Sequence, residues 1–91
     1  MLDRFRIAET DTFSSKLADS KYSKIYKKIS DYVYPQLREN PFFGTNIKKL
    51  KEEFEGLYRY RVCRHRVFYL IENGKILVIM LDIDDRKDAC R

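Results

Sequence analysis

The stretch LYRYRVCRHRVFYL, residues 57–70, brings Arg59, Arg61, Arg64 and Arg66 together with His65, the single histidine of the chain. Guanidinium groups grip phosphate or carboxylate oxygens through paired N–H donors and stay charged at any physiological pH. Imidazole adds a group that exchanges protons near neutrality. These residue types suit binding of a polyanion and stabilisation of charge developing on a phosphate. An arginine cannot itself be the base, because it does not lose its proton in a protein.

The same stretch indicates which elements position these groups. LYRYRV (57–62), RVFYLI (66–71) and KILVIMLDI (75–83) are rich in β-branched and aromatic residues and read as three strands of an antiparallel meander. A tight turn at Cys63-Arg64 predicts Val62 opposite His65, Arg61 opposite Arg66 and Arg59 opposite Phe68. Alternation then puts Arg59, Arg61 and Arg66 on one face, beside Phe68, Leu70, Leu77, Ile79 and Leu81. Tyr60, Val62, Val67, Tyr69, Ile71, Val78 and Met80 form the opposite, core face, and His65 falls on that side. Like charges directly opposed across strands destabilise a sheet, so Arg61 and Arg66 need an anionic partner. Asp82, Asp84 or Glu72 could instead neutralise the arginines within the chain. Asn73-Gly74 predicts a two-residue hairpin turn.

Upstream, FRIAE (5–9) carries a weak strand pattern, and Thr10 or Asp11 caps a short helix to about Leu17. Asp19 or Ser20 opens a longer helix in which Tyr22, Ile25, Tyr26, Ile29 and Val33 share one apolar face. Lys21, Lys24, Lys27 and Lys28 lie off that face. Pro35 has no N–H to bond back to Asp31, which predicts a kink or break before the helix ends at Asn40-Pro41. PFFGTN (41–46) reads as a loop pinned to the core by its two phenylalanines, and IKKLKEEFEG (47–56) as irregular. The element order is β-α-α-β-β-β, an α+β fold with a small antiparallel sheet packed on two N-terminal helices.

Ninety-one residues make a single domain, 1–91, without room for an internal cofactor chamber, so a site must lie at the surface. Nineteen Lys plus Arg against fourteen Asp plus Glu, a formal charge of +5, suit a polyanionic partner. No apolar run reaches membrane-spanning length and the N-terminus lacks a signal-peptide core, so the expected location is cytoplasmic, with no membrane partner. Cys63 and Cys90 fit neither a zinc cluster nor a disulfide framework, and nothing implies a cofactor or metal. Lys48, Lys49 and Lys51, with Arg64, extend the electropositive surface as candidate contacts for a nucleic acid such as RNA or for an acidic protein.

The order NPFFGTNIKKLK (40–51), LYRYRV, turn, RVFYLI, Asn-Gly hairpin, apolar strand and DIDDRKDACR (82–91) resembles the RelE/ParE family of bacterial toxin–antitoxin toxins. The resemblance implies a toxin neutralised by a cognate antitoxin. In its RelE-like branch, it implies a ribosome-dependent endoribonuclease that cuts mRNA in the A site. Arg59, Arg61, Arg66 and Arg86 match basic site positions of that pattern. Cys90 stands where such chains usually carry Tyr, and Asp85 where a polar residue or histidine often precedes Arg86. The resemblance leaves open a ParE-like inhibitor of DNA gyrase and a catalytically disabled toxin that still binds antitoxin. The general acid and base stay unassigned.

Overall fold

The computed structural model describes residues 4–50 and 56–85, for Asn73 and Asp85 the backbone alone. Strand β1 (Arg6–Glu9) leads into helix α1 (Asp11–Leu17), whose N-cap is Thr10, its hydroxyl accepting from the Phe13 N–H at 3.2 Å. Asp19 caps the following 3₁₀ turn (Ser20–Tyr22) by accepting from the Lys21 N–H. Helix α2 (Ser23–Lys28), a π-helical turn (Ile29–Val33) and helix α3 (Tyr34–Glu39) then run on as one rod. The π turn answers the difficulty raised by Pro35. The Tyr34 N–H donates to the Ile29 carbonyl, five residues back, so one extra residue is taken up just where proline withholds its donor.

That extra residue also shifts the buried stripe. Tyr22, Ile25, Ile29 and Val33 are buried as the periodicity predicts, and Tyr34 and Leu37 join them, whereas Tyr26 is turned outward at 37% exposure. In a regular α-helix Ile29 and Tyr34, five residues apart, would point about 140° from each other; the extra residue lets both face the core.

Four further strands follow: β2 (Ile47–Lys49), β3 (Leu57–Val62), β4 (His65–Glu72) and β5 (Leu77–Asp85). The sheet order is β1-β5-β4-β3-β2. β1 lies parallel to β5 and every other pairing is antiparallel, so the sheet is mixed rather than purely antiparallel. The α+β class is as predicted. The departures are that β1 joins the sheet as an edge strand and that part of the segment read as irregular, Ile47–Lys49, is an edge strand against β3.

The β3–β4 hairpin has the predicted register, with Val62 opposite His65, Arg61 opposite Arg66 and Arg59 opposite Phe68. Its two-residue turn places Cys63 at φ 55°. The Asn73-Gly74 expectation fails: Glu72 pairs with Leu77, the loop spans four residues, and the positive φ falls on Ile76 at 53°. A two-residue slip preserves side-chain alternation, so Val78 and Met80 still reach the core.

Further along, a bulge breaks the alternation. Tyr69 pairs with Met80 but Phe68 with Asp82, leaving Leu81 without a cross-strand partner. Beyond it Ile83 is fully buried and Asp84 lies opposite Arg66.

The core lies between the helices and the face carrying Tyr58, Tyr60, Val67, Tyr69, Val78, Met80 and Ile83. Its polar tips are satisfied: the Tyr69 hydroxyl donates to the Pro41 carbonyl at 2.8 Å, and the Tyr60 hydroxyl to the Gln36 side-chain carbonyl at 2.6 Å. In the 41–46 loop only one phenylalanine pins the chain. Phe42 packs edge-on to Phe5 and Tyr58, while Phe43 is 75% exposed.

Candidate functional site: an arginine-lined sheet face

The sheet face turned away from the helices collects the cations. Residues paired across neighbouring strands share a face, so Lys48 on β2 stands beside Arg59 on β3, followed by Phe68 on β4. One step toward the β3–β4 turn, Arg61 stands beside Arg66, and Arg66 beside Asp84. Lys48 therefore reaches the arginines through the strand that sequence periodicity missed. Three residues offered little periodic signal for β2, although its pairing with Tyr60, Arg59 and Tyr58 is regular.

Charge is unevenly balanced on this face. Arg66 Nη2 bonds Asp84 Oδ2 at 2.5 Å, and its guanidinium lies 5.5 Å from the Phe68 ring centroid. The Arg66 Nε is buried and has no hydrogen-bond partner. Internal neutralisation thus holds for Arg66. Asp82 is engaged elsewhere, with Lys16 of α1 at 2.8 Å. Among the described residues no carboxylate lies within ion-pair distance of Arg59 or Arg61. Burial, then the charges of Arg61 and Arg66, push the Arg59 guanidinium below its usual range, which marks these side chains as one like-charged group. It remains a cation at neutral pH.

The other predicted residues are distributed as follows. Lys49 pairs with Tyr58 and so alternates away from the arginine face, exposed at the sheet edge. Arg64 sits exposed on the β3–β4 turn. His65 packs edge-on to Tyr22, with ring centroids 5.6 Å apart, on the helix side as its register predicts. Lys51, Arg86 and Cys90 lie outside the described residues.

The face can therefore do two things. It can hold a phosphate-bearing chain between Lys48, Arg59 and Arg61, with Arg66 oriented by Asp84 and Phe68. It can also stabilise added negative charge on that phosphate. No described histidine or tyrosine points into it, so the described residues supply charge rather than a neutral-pH proton shuttle.

The mixed five-stranded sheet with helices packed on one face is an architecture shared with solved structures of toxins and toxin–antitoxin complexes. A chain of the RelBE2 toxin–antitoxin complex from Mycobacterium tuberculosis is similar, at 22% identity and TM-score 0.78, covering 97% of this chain and 98% of that one. The YoeB/ParE toxin from Agrobacterium tumefaciens matches at 16% identity and TM-score 0.73, over 90% and 99% of the two chains. A chain of the archaeal RelE–RelB complex from Pyrococcus horikoshii OT3 matches at 18% identity and TM-score 0.67, over 93% and 98%. At these identities the likeness establishes the fold, and the chain has the RelE/ParE toxin fold. No protein-family model matches the chain. No curated protein sequence matches it either.

Proposed function

We propose that this protein is the toxin of a toxin–antitoxin pair, and that it acts as a ribosome-dependent endoribonuclease cutting mRNA in the A site. One observation carries the reading: Arg59 and Arg61 stand together on an open sheet face, without a carboxylate among the described residues to balance them. Such a face costs folding energy when empty and is completed by a polyanion.

Cleavage of RNA by its own 2′-hydroxyl moves that proton away, builds negative charge on a crowded phosphorane, and returns a proton to the departing 5′-oxygen. Arg59 and Arg61 would bear on the phosphorane charge, with Lys48 holding the neighbouring backbone. Arg66, held by Asp84, would fix the register of the phosphate against them. Electrostatic stabilisation of this kind is the largest share of much phosphoryl-transfer catalysis. A cognate antitoxin would occupy the same face with a carboxylate-bearing segment, and would silence the toxin by supplying the missing anion. The fold neighbours include toxin–antitoxin complexes, which supports that partner.

The test is incubation of the purified chain with translating ribosomes and a defined mRNA, with cuts mapped by primer extension beside Arg59→Ala and Arg61→Ala variants. Cuts in the A-site codon, lost in both variants, are the expected result. Intact mRNA from a chain that still arrests growth would refute the ribonuclease and move the target to DNA gyrase. Intact mRNA without arrest would mark a disabled toxin.

A further inference from the structure

A second basic surface lies around the corner from the arginine face. Lys21, Lys24 and Lys28 follow one another along the outside of the helical rod, exposed, and the β3–β4 turn with Arg64 packs alongside them. Lys27 is the exception in this group, because Asp31 neutralises it at 3.3 Å. No carboxylate of the described residues pairs with Lys21, Lys24 or Lys28.

Between the rod and the end of β3 runs an open cleft of about 390 Å³. Val33, Tyr60 and Val62 contribute to its lining, with Lys28, Tyr32 and Arg61 among the remaining residues. Tyr32 is 69% exposed, an aromatic ring left in water among cations. It also borders a depression lined by Lys24 and Lys28 together with the Lys27–Asp31 pair. Arg61 belongs to both surfaces: it stands opposite Arg66 on the sheet face and lines the cleft.

We infer that this cleft is a second contact for single-stranded RNA, with a base stacked on Tyr32 and flanking phosphates on Lys24, Lys28 and Arg61. The inference rests on the ribonuclease reading and deepens it, since it gives the strand leaving the arginine face a path past Arg61. Cations alone would suit an acidic peptide equally. The exposed ring between them favours nucleic acid, because stacking on aromatic side chains combined with a basic groove is how single strands are held without sequence preference.

The experiment measures binding of the full chain to a short fluorescein-labelled single-stranded RNA by anisotropy across a salt series. Thermal melting confirms that each variant folds. Tyr32→Ala should weaken binding roughly 5- to 150-fold, the range for loss of one stacked base, while Tyr32→Phe stays near the parent. Lys24→Gln with Lys28→Gln should lower the log–log salt slope by about 1.4, or about 0.7 for each phosphate no longer neutralised. Lys27→Gln with Asp31→Asn, which removes a balanced pair and no net charge, should leave the slope unchanged.

Equal affinity and slope in parent, Tyr32 and lysine variants would overturn the cleft and leave the ribonuclease reading standing. A parent chain with no salt-dependent affinity for free RNA would overturn the cleft as well, while the ribonuclease reading stands or falls by the ribosome assay above. If the lysine variants lose a polyglutamate peptide but not RNA, the surface serves an acidic protein and the inference fails.

Discussion

Replacing Asp84 with Asn removes the one described carboxylate that balances the arginine face while keeping side-chain size nearly constant. The Arg66–Asp84 pair is partly exposed, at 28% and 39% of the two side chains, so solvent screens it and its direct loss is worth about 0.2–1 kcal/mol. The substitution also leaves Arg66 facing Arg61 uncompensated, and a directly opposed like-charge pair costs roughly 0.2–1 kcal/mol more. Together these give about 1 kcal/mol, a fall in Tm of roughly 4–8 °C for a domain of this size. Because the cost is electrostatic, it should shrink as salt rises and the Debye length falls from about 10 Å at 0.1 M to about 3 Å at 1 M. The assay is thermal melting of parent and Asp84→Asn across that salt range, with RNA affinity measured alongside. The variant should bind RNA more tightly and with a steeper salt dependence, since the face has gained one net positive charge. An unchanged or raised Tm in low salt would refute the reasoning, and so would a loss of stability that salt does not relieve.

Gly56 sits at φ 83°, where a side chain is strained, and an added Cβ would come within 3.2 Å of the Ile71 carbonyl oxygen. Gly56→Ala should therefore cost about 1–2 kcal/mol, seen as a lower denaturant midpoint with an unchanged slope. At alkaline pH the buried tyrosines should govern stability. Burial, then a hydrogen bond to Glu9, raises the Tyr34 hydroxyl well above its usual range; burial, then the neighbouring Tyr58, does the same for Tyr69. The unfolded chain releases these protons near pH 10 and the folded chain only at higher pH. Stability is thus fully present below about pH 10 and falls as pH rises beyond it. Tyr34→Phe should move the alkaline unfolding midpoint upward, followed by tyrosinate absorbance and circular dichroism; a midpoint unmoved by that change would exclude Tyr34 as a cause.

The strands that carry the candidate site were legible because β-branched and aromatic residues crowd 57–62 and 66–71, with Arg59, Arg61 and Arg66 at alternating positions, and a two-residue turn fixed which arginines oppose each other. The hidden part lay where backbone irregularity changes which way a residue points. Asp84 has the same parity as Val78 and Met80, so simple alternation sends it to the core; only the extra residue at Leu81 returns it to Arg66. Asn73-Gly74 carried a strong turn signal, yet the chain reverses over Asn73–Ile76, because β5 meets both β4 and β1 there. The Arg6 N–H bonds the Ile76 carbonyl at 3.0 Å, and this parallel partnership lay beyond the local sequence. The exposure of Tyr26 has a different cause: it stands at the rim of the apolar stripe, ahead of the π turn, with its hydroxyl on Glu9 at 3.2 Å.

The residue inserted at the π turn also sets how the helical rod holds the first strand. Before the π turn, Tyr26 of α2 donates to the Glu9 carboxylate of β1 at 3.2 Å; after it, Tyr34 of α3 donates to the same carboxylate oxygen at 2.5 Å, and the Arg38 carbonyl accepts from the Phe5 N–H. In a regular α-helix Tyr26 and Tyr34 would stand about 80° apart, at about 100° per residue; the extra residue taken up in the π turn brings both onto the side that meets Glu9. One carboxylate of the edge strand is thus gripped from both sides of the irregular turn, so the strand is seated by α2 and α3 together.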